Sequence, residues 1–278
     1  MEHKYSSPIV VKYGGNALGG GGVIPSVGSE ATVVEGPDPV LASVLGLHLG
    51  GTQVVLLHGG GPEIDRWLAD RNVPTRRVDG LRVTDAATLE VTEAVLCATI
   101  NKRLVRACAA LGARAVGISG EDANTLVAQT ARGSHGEDLG YVGEVTACNP
   151  ALINLLLAAG YLPVVAPLAI AEDNAHAFNV NADLAAAAIG GALRAHAFVM
   201  ITNVARVRRD PNDPDSGINR MSLGQARAFL ETPACEGGMK PKIQAAIAAV
   251  EAGAVASYIC AQQPIADILA GNATIVAP

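Results

Sequence analysis

The sequence is poor in aromatic residues and in positive charge, and both shortages narrow the possible functions. Phe, Trp and Tyr together make up 3% of the residues, which is little material for the stacked aromatic platform that binds single-stranded nucleic acid. The formal net charge of -6 disfavours a broad nucleic-acid footprint, although a local basic pocket for a small anion is compatible with it. We therefore expect no nucleic-acid partner.

Long hydrophobic runs and paired cysteines are also missing. Gly, Pro, Asn or a charged residue interrupts each apolar run well before the roughly 18 residues that indicate a transmembrane helix. The first residues lack the apolar core of a secretory signal. The five cysteines lie far apart without a CxxC pair, which favours reduced thiols over disulfides or a zinc site. We expect a cytoplasmic protein that does not associate with membranes.

Short runs rich in β-branched residues alternate with stretches of helical spacing. The runs that predict strands are 8–13, 53–58, 115–118, 162–166, 197–202 and 256–260. Helical spacing covers 84–111 and 223–230, and two alanine-rich stretches, 152–159 and 185–193, predict buried helices. Apolar strands separated by helices predict an α/β protein with a mainly parallel sheet covered on both faces. Ligands of such sheets bind at the carboxyl ends of the strands, where the first glycine clusters fall.

Two segments interrupt this alternation. The polar segment 208–219 (RRDPNDPDSGIN) is rich in Pro, Asn and Asp and predicts a loop. A shorter polar segment near residues 172–174 predicts a boundary between two lobes. The N-terminal lobe would comprise residues 1–174 and the C-terminal lobe residues 175–278.

The first two glycine clusters both follow predicted strands. Lys12 precedes Gly14 and Gly15, which places an ammonium group beside bare backbone N–H groups and favours a phosphate. A glycine turn with a solvated lysine is the alternative. The second cluster, 58–65 (HGGGPEID), has three glycines and then a proline suited to a first helical turn. An anionic group could bind at the N-terminus of this helix, and a tight turn that needs positive φ is the alternative. For His58 we expect packing or capping rather than catalysis.

Charged residues accompany three further motifs. Arg82 precedes a predicted helix, for which Thr84 or Asp85 is the candidate N-cap. The planar guanidinium group of Arg82 can donate two hydrogen bonds to a substrate carboxylate. A solvent-exposed surface arginine is the alternative. Asp183 opens a small-residue helix, either as a cap or as an acceptor for lysine side chains. The segment 237–242 (GGMKPK) offers a lysine that could reach a phosphate or simply be solvated.

No Ser/His/Asp order, HExxH motif or paired metal-ligand spacing occurs in the sequence. Several glycine-flanked anion sites with two separated lysines instead indicate phosphoryl transfer, in which positioning and charge stabilisation supply most of the catalysis.

Together these motifs resemble the amino-acid kinase family over nearly the whole chain. The matching segments are VVKYGGNAL, LLHGGGPEID, GLRVTD, INKRLV, GISGEDANTL, DLGYVGEVTACNP, FNVNAD and GGMKPK. GLRVTD and NVNAD are typical of its acetylglutamate branch. The resemblance implies a three-layer αβα sandwich, with the acyl-amino acid and the dimer contact in the N-terminal lobe and ATP in the C-terminal lobe. It also implies transfer of the γ-phosphoryl group of MgATP to the side-chain carboxylate of N-acetyl-L-glutamate, in arginine biosynthesis.

The resemblance further implies the roles of individual residues. Lys12 and Lys242 would stabilise the charge on the moving phosphoryl group, and Asp183 would hold both lysines. Magnesium would be carried mainly by the nucleotide phosphates, so that no protein metal ligand is expected.

Substrate and nucleotide contacts follow from the same resemblance. The implied substrate-binding residues are Gly15, Gly60, Gly61, Arg82 and Asn179. The implied nucleotide-binding residues are Thr202, Asn203, Gly238 and Met239. Among them, Gly15 and Gly60 would offer backbone N–H groups to the phosphoryl oxygens, and Arg82 would hold the α-carboxylate.

Departures from the family pattern keep other acceptors open. Asn203 stands where relatives usually carry an aspartate, and 258–264 replaces an expected aspartate-glycine-arginine turn. Asn203 fits relatives that phosphorylate carrier-bound glutamate or α-aminoadipate. An acidic amino-group carrier protein would need a basic rim, for which the candidates are Arg76, Arg77, Arg103 and Arg106. A non-catalytic sensor or a scaffold for a PII-type regulator is the third hypothesis.

The expected assembly is a homodimer. Only residues 1–7 precede the first predicted strand, whereas arginine-inhibited relatives carry an extra N-terminal helix that assembles hexamers. We therefore expect little or no response to arginine.

Overall fold

An eight-stranded sheet forms the centre of the molecule. A computed structural model describes residues 7–14 and 38–278. In spatial order the strands are β12 (Arg220–Ser222), β14 (Thr274–Ala277), β13 (Ser257–Ala261), β11 (Ala197–Thr202), β1 (Ile9–Tyr13), β2 (Val54–His58), β8 (Leu162–Ala166) and β5 (Ala115–Ser119). The strands from β13 to β5 are mutually parallel, and β14 is antiparallel to β13. The predicted mainly parallel sheet is confirmed, and each predicted strand lies within one residue of an observed one.

Helices cover both faces of the sheet. They are α1 (Pro39–Leu49), α2 (Gly61–Asp70), α3 (Ala86–Glu93), α4 (Asn101–Ala110), α5 (Ala151–Ala158), α6 (Ala182–Ala192), α7 (Leu223–Leu230), α8 (Lys240–Glu251) and α9 (Ile265–Leu269). Alternate residues of a strand enter different cores because successive side chains point to opposite faces. In β11, Phe198 and Met200 pack with α6 and α8, whereas Val199 and Ile201 pack with α1 and α9. Two cores around one sheet confirm the predicted αβα sandwich.

The two alanine-rich helices differ in burial. The stretch predicted at 185–193 lies within α6, which is largely buried. The stretch predicted at 152–159 forms α5, but the prediction that this helix is buried was wrong. Only Ile153 and Leu157 are buried on α5, because one face packs on the core and the opposite face points outward; Leu155 is 68% exposed.

The helix predicted at 84–111 is observed as a continuous helical segment from Ala86 to Ala110 that contains a π-helical stretch. Asp85 caps it, since its carboxylate accepts a hydrogen bond from the Thr88 backbone N–H at 2.8 Å. The π-helix (Ala94–Ile100) separates α3 from α4. It points Leu96 and Ile100 at the second glycine cluster, so this irregular stretch lies beside the candidate site.

A small closed sheet and a hairpin lie outside the sandwich pattern. The closed sheet consists of β10 (Ala177–Val180), β7 (Asp138–Cys148), β6 (Leu126–Arg132) and β9 (Leu168–Ala171). The hairpin joins β3 (Arg77–Val78) to β4 (Leu81–Arg82). Its turn residues, Asp79 and Gly80, both have positive φ, as a tight hairpin turn requires.

The remaining predictions about chain organisation have mixed outcomes. The predicted loop at 208–219 is confirmed as irregular chain. Residues 172–174 lie in the connection between the paired strands β9 and β10, and the two-lobe division stays a prediction. Within the described ranges no helix is long and apolar enough to cross a membrane. Gly15 lies outside the described residues.

Candidate active site

A cleft of about 550 Å³ opens at the carboxyl ends of the central parallel strands. It is lined by residues at the ends of β1 and β11 and by the loop that follows β2. Every predicted site residue within the described ranges lines this one cleft. These residues are Lys12, Gly60, Gly61, Arg82, Asn179, Asp183, Thr202, Asn203, Gly238, Met239 and Lys242. The structure therefore brings together motifs that lie up to 230 positions apart in the sequence (242 less 12).

A carboxylate bridges two ammonium groups in the cleft. Lys12 Nζ lies 2.9 Å from Asp183 Oδ1, and Lys242 Nζ lies 3.3 Å from Asp183 Oδ2. The exposed fractions of the three side chains are 11% for Lys12, 7% for Asp183 and 23% for Lys242. Burial by itself would raise the pKa of Asp183, but the two ammonium groups outweigh it and hold this pKa below its usual value. Asp183 is therefore ionised at neutral pH, and the three groups carry one net positive charge.

Local structure positions each of these charges. Lys12 is the penultimate residue of the buried strand β1. Asp183 lies on the first turn of α6, where Asn181 accepts hydrogen bonds from the Asp183 and Leu184 backbone N–H groups at 2.8 and 3.2 Å. Lys242 lies on the first turn of α8. All three side chains are thus fixed by element ends rather than by long loops.

The glycines around the cleft permit close approach of other groups. A Cβ at Gly14 would lie 2.8 Å from the Ile201 carbonyl oxygen, and a Cβ at Gly60 would lie 2.6 Å from Leu96 Cδ2. Real Cβ atoms essentially never come that near. None of the glycines at positions 59–61 has a positive φ. The alternative of a turn that needs positive φ was therefore wrong. At position 60 it is the closely packed Leu96 and Ile100 side chains that leave no room for a Cβ.

Arg82 is a buried residue rather than a surface arginine. Its exposed fraction is 6%, and its Nη2 donates to the Gly61 carbonyl oxygen at 3.1 Å. Its Nη1 donates to Asp65, a residue of the second glycine cluster that sequence reasoning did not assign to the site. Arg77 Nη2 also reaches Asp65, at 2.9 Å. Partial burial opposes ionisation of Asp65, but both arginines hold its pKa below the usual value.

Asn179 is connected to Arg82 through Thr84, which was expected from the sequence only as a candidate helix cap. Its Nδ2 donates to Thr84 Oγ1 at 3.1 Å, and Thr84 Oγ1 donates to the Arg82 carbonyl oxygen at 2.8 Å. Thr84 is fully buried. The backbone of Thr84 is also bound to β7, because its carbonyl accepts the Tyr141 N–H at 2.7 Å. A fixed frame thus presents Arg82 and Asn179 side by side.

The opposite part of the cleft is formed by the C-terminal elements. Thr202 Oγ1 lies 3.1 Å from the Cys260 carbonyl oxygen and accepts the Val204 N–H at 3.1 Å, which fixes the end of β11. Asn203 is exposed and lines the cleft. Gly238 and Met239 belong to a short 3₁₀ turn just before α8. Across the described residues no group of three or more His, Cys, Asp or Glu side chains is arranged to hold a metal ion.

Two of the four candidate rim arginines are already paired. Arg103 makes two hydrogen bonds to the Glu63 carboxylate, at 2.8 and 2.9 Å, and Arg77 pairs with Asp65. Arg76 and Arg106 are exposed. Because carboxylates neutralise two of the four arginines, the net positive charge of the basic rim is smaller than four arginines would supply.

Comparisons with known proteins match most of the chain. A model of the amino acid kinase family matches residues 7–261. An acetylglutamate kinase of Synechococcus sp. (strain JA-2-3B'a(2-13)) is 38% identical over 251 residues, which cover 90% of this chain and 75% of that protein. An acetylglutamate kinase of Petrotoga mobilis (strain DSM 10674 / SJ95) is 41% identical over 250 residues, covering 90% of this chain and 78% of that protein. The solved structure of smu.665 from Streptococcus mutans UA159 has a TM-score of 0.76 and 25% identity, covering 97% of this chain and 98% of that one.

Proposed function

Because the chain belongs to the amino acid kinase family, we propose that it is a kinase that transfers the γ-phosphoryl group of ATP to the side-chain carboxylate of N-acetyl-L-glutamate. The product is an acyl phosphate, and the reaction is a step of arginine biosynthesis. The names of the relatives support this acceptor. The observation that carries the proposal is the pair of ammonium groups held by one carboxylate inside the cleft.

The lysine pair is suited to phosphoryl transfer. During the reaction, negative charge builds up on the β,γ-bridging oxygen of the departing ADP and is carried by the γ-phosphoryl oxygens, and fixed cations stabilise that charge. Asp183 holds Lys12 and Lys242 in place before the substrates bind, so little reorganisation is needed during the reaction. Because one carboxylate balances only one of two cations, a positive charge remains for the phosphoryl group.

No protein base is required for this reaction. A side-chain carboxylate is already ionised at neutral pH, so that its oxygen can attack the γ-phosphorus directly. The new bond joins that oxygen to phosphorus, the bond from phosphorus to the β,γ-bridging oxygen breaks, and ADP leaves with the electron pair. This agrees with the cleft, where the only carboxylate among the described lining residues is Asp183, which is engaged by both lysines.

We assign the two substrates to opposite parts of the cleft. Arg82 and Asn179, on the frame formed with Thr84, would hold the acyl-amino acid, and the backbone N–H groups of Gly60 and Gly61 would face its reacting end. Thr202, Asn203, Gly238 and Met239 would contact the nucleotide. This assignment corresponds to an N-terminal lobe of residues 1–174 for the acceptor and a C-terminal lobe of residues 175–278 for ATP.

Magnesium would enter with the nucleotide. The donor set fits such an ion only when the nucleotide phosphates supply most ligands, because Mg²⁺ favours oxygen ligands and Asp183 is occupied by Lys12 and Lys242. Bound in that way, the ion neutralises phosphate charge. Lys12 and Lys242 supply the charge stabilisation that belongs to the protein itself.

A second acceptor is a carrier-bound glutamate or α-aminoadipate. Asn203, which is exposed and lines the cleft, departs from the aspartate that the family resemblance implies and motivates this alternative. Arg76 and Arg106 are the exposed arginines that would meet an acidic carrier. A homodimer and a PII-type regulator are further proposals for the same enzyme.

The test is a hydroxylamine-trap assay with ATP and a panel of N-acylated glutamate and aminoadipate derivatives. We expect hydroxamate with N-acetyl-L-glutamate and its loss in the Lys12→Met variant. Product only from the aminoadipate derivatives would replace the first acceptor by the second. No hydroxamate from any member of the panel would overturn the proposed activity.

A further inference from the structure

A buried histidine directly precedes the glycines of the cleft and has partners on both ring nitrogens. His58, the last residue of β2, is 0% exposed. Its Nδ1 lies 2.9 Å from the Gly59 carbonyl oxygen, and its Nε2 lies 3.4 Å from Asn101 Nδ2. His58 is not among the residues that line the cleft. A role in contact with substrate is therefore excluded for this side chain.

The partners of the two ring nitrogens, the Gly59 carbonyl and the Asn101 amide, determine which nitrogen of His58 carries the proton. Asn101 Nδ2 donates to the Val164 and Ile118 carbonyl oxygens at 2.8 and 3.2 Å. Its Oδ1 accepts from the Lys102 ammonium group at 3.1 Å. These contacts orient the amide so that Nδ2 faces His58 Nε2. Both N–H groups of that amide are directed at carbonyl oxygens and its nitrogen cannot accept a hydrogen bond, so a proton on Nε2 would have no acceptor there. The proton of the neutral ring is then on Nδ1, which donates to the Gly59 carbonyl oxygen.

The Gly59 carbonyl belongs to the same peptide unit as the Gly60 N–H. The described chain contains no cis peptide bond, and in a planar trans peptide the C=O and N–H bonds point in opposite directions. His58 holds the Gly59 carbonyl toward the buried interior. The Gly60 N–H on the far side of that peptide therefore points away from the interior, and Gly60 lines the cleft.

The Gly60 N–H is available to a ligand. The neighbouring Gly59 N–H donates to the Tyr13 carbonyl oxygen at 3.2 Å, whereas no acceptor among the described residues takes the Gly60 N–H. A glycine at position 60 is also required by packing, because Leu96 and Ile100 leave no room for a Cβ. The peptide is thus fixed from both sides, by a hydrogen bond at its carbonyl and by side chains at the Gly60 Cα.

We propose that His58, as the Nδ1–H tautomer, is a positioning residue that turns the Gly60 N–H toward the phosphoryl group that is transferred. The inference rests on the proposed kinase function. A neutral Nδ1–H tautomer keeps the donor in place, whereas the other tautomer would put a lone pair against the Gly59 oxygen and release the peptide. His58 acts on the reaction only through the backbone of the glycine loop.

The state of the ring agrees with this role. Burial lowers the pKa of His58 to about 4; the Gly59 hydrogen bond opposes this shift, and the Lys102 charge adds to it. The ring is therefore neutral at neutral pH, where the substrate carboxylate is ionised.

The kinetic test compares His58→Leu with His58→Asn. Leucine fills much of the ring volume but has no donor, so we expect kcat to fall by about tenfold to a hundredfold, with KM for both substrates within about threefold. Asparagine carries an amide nitrogen near the position of Nδ1 and should recover most of the lost kcat. Ser257→Ala is the matched control, because Ser257 Oγ donates to the Ala246 carbonyl oxygen in the core at 2.9 Å, outside the cleft lining. Its kcat should stay at the wild-type value even where its Tm falls.

Nitrogen NMR of the histidine side chains in the unmodified protein gives a readout that does not depend on a variant folding. We expect a neutral His58 ring with the proton on Nδ1. A proton on Nε2, a charged ring at neutral pH, or an unchanged kcat in a folded His58→Leu variant would overturn the proposal. A wild-type protein that makes no acyl phosphate would overturn the proposed function instead, so that the two failures are distinguishable.

Discussion

Removing the charge of Lys242 is the most direct test of the proposed chemistry. In Lys242→Met the side-chain stem is kept and the ammonium group 3.3 Å from Asp183 Oδ2 is lost. A unit charge about 4 Å from developing phosphoryl charge contributes about 4 kcal/mol at an effective dielectric constant of about 20. The side chain is 23% exposed, so solvent screening reduces this to about 3 kcal/mol, which corresponds to roughly a hundredfold in kcat.

Steady-state kinetics with ATP and N-acetyl-L-glutamate measures this effect. We expect the loss in kcat, with KM for either substrate within about threefold, because the charge acts mainly on the transferring group. Lys240→Met is the matched control, since Lys240 is an exposed lysine on the same helix start and does not line the cleft. A raised KM with unchanged kcat in Lys242→Met, or an equal loss in both variants, would refute the assigned role.

Three further predictions follow from the same geometry. Arg82→Ala should raise the KM for the acyl-amino acid about tenfold or more, because a charged hydrogen-bond donor is lost; an unchanged KM would exclude Arg82 as the carboxylate anchor. In thermal unfolding, Gly60→Ala should lose about 1–3 kcal/mol of stability by overpacking, whereas Gly61→Ala, whose Cβ would meet nothing within 4 Å, should lose none. The folded-state pKa of Asp183 is depressed, so its contribution to stability is present above the unfolded value of 3.8 and is lost as pH falls through the folded value. Urea unfolding should therefore show the stability gap between wild type and Asp183→Asn narrowing between about pH 5 and about pH 2, and a constant gap would contradict the ion-pair assignment.

The six parallel strands of the central sheet, from β13 to β5, were predictable because their signals are local, whereas β12 and β14 at the sheet edge were not predicted. Residues 53–58 and 197–202 are apolar runs that end before polar or glycine-rich loops, and strands buried on both faces need such runs. The closed sheet of β6, β7, β9 and β10 was not predicted. The long strand β7 (Asp138–Cys148) alternates between buried and exposed residues only in part. Its pairing includes register shifts with β6, which weaken the alternation that marks a strand.

Which residues line the cleft was predictable from motifs, whereas their side-chain partners were not. Lys12, Asp183 and Lys242 were assigned from family motifs, and the ion pairs agree with that grouping. The pairing of Arg82 with Asp65 joins positions 17 residues apart, and that of His58 with Asn101 joins positions 43 residues apart. No local periodicity encodes such contacts, because they arise only when separate elements pack together.

The charge distribution is compatible with the binding of two anionic substrates by an acidic protein. The whole chain carries a net charge of -6, yet the described cleft lining contains the cations Lys12, Arg77, Arg82 and Lys242 and a single carboxylate, Asp183. Asp65 balances part of the arginine charge from outside that lining. Because low-dielectric walls concentrate the field of the remaining cations, the cleft attracts anions while the rest of the surface repels them. A negative surface with a positive cleft therefore selects small anions over polyanions, which is the property that a kinase for a free amino-acid derivative needs.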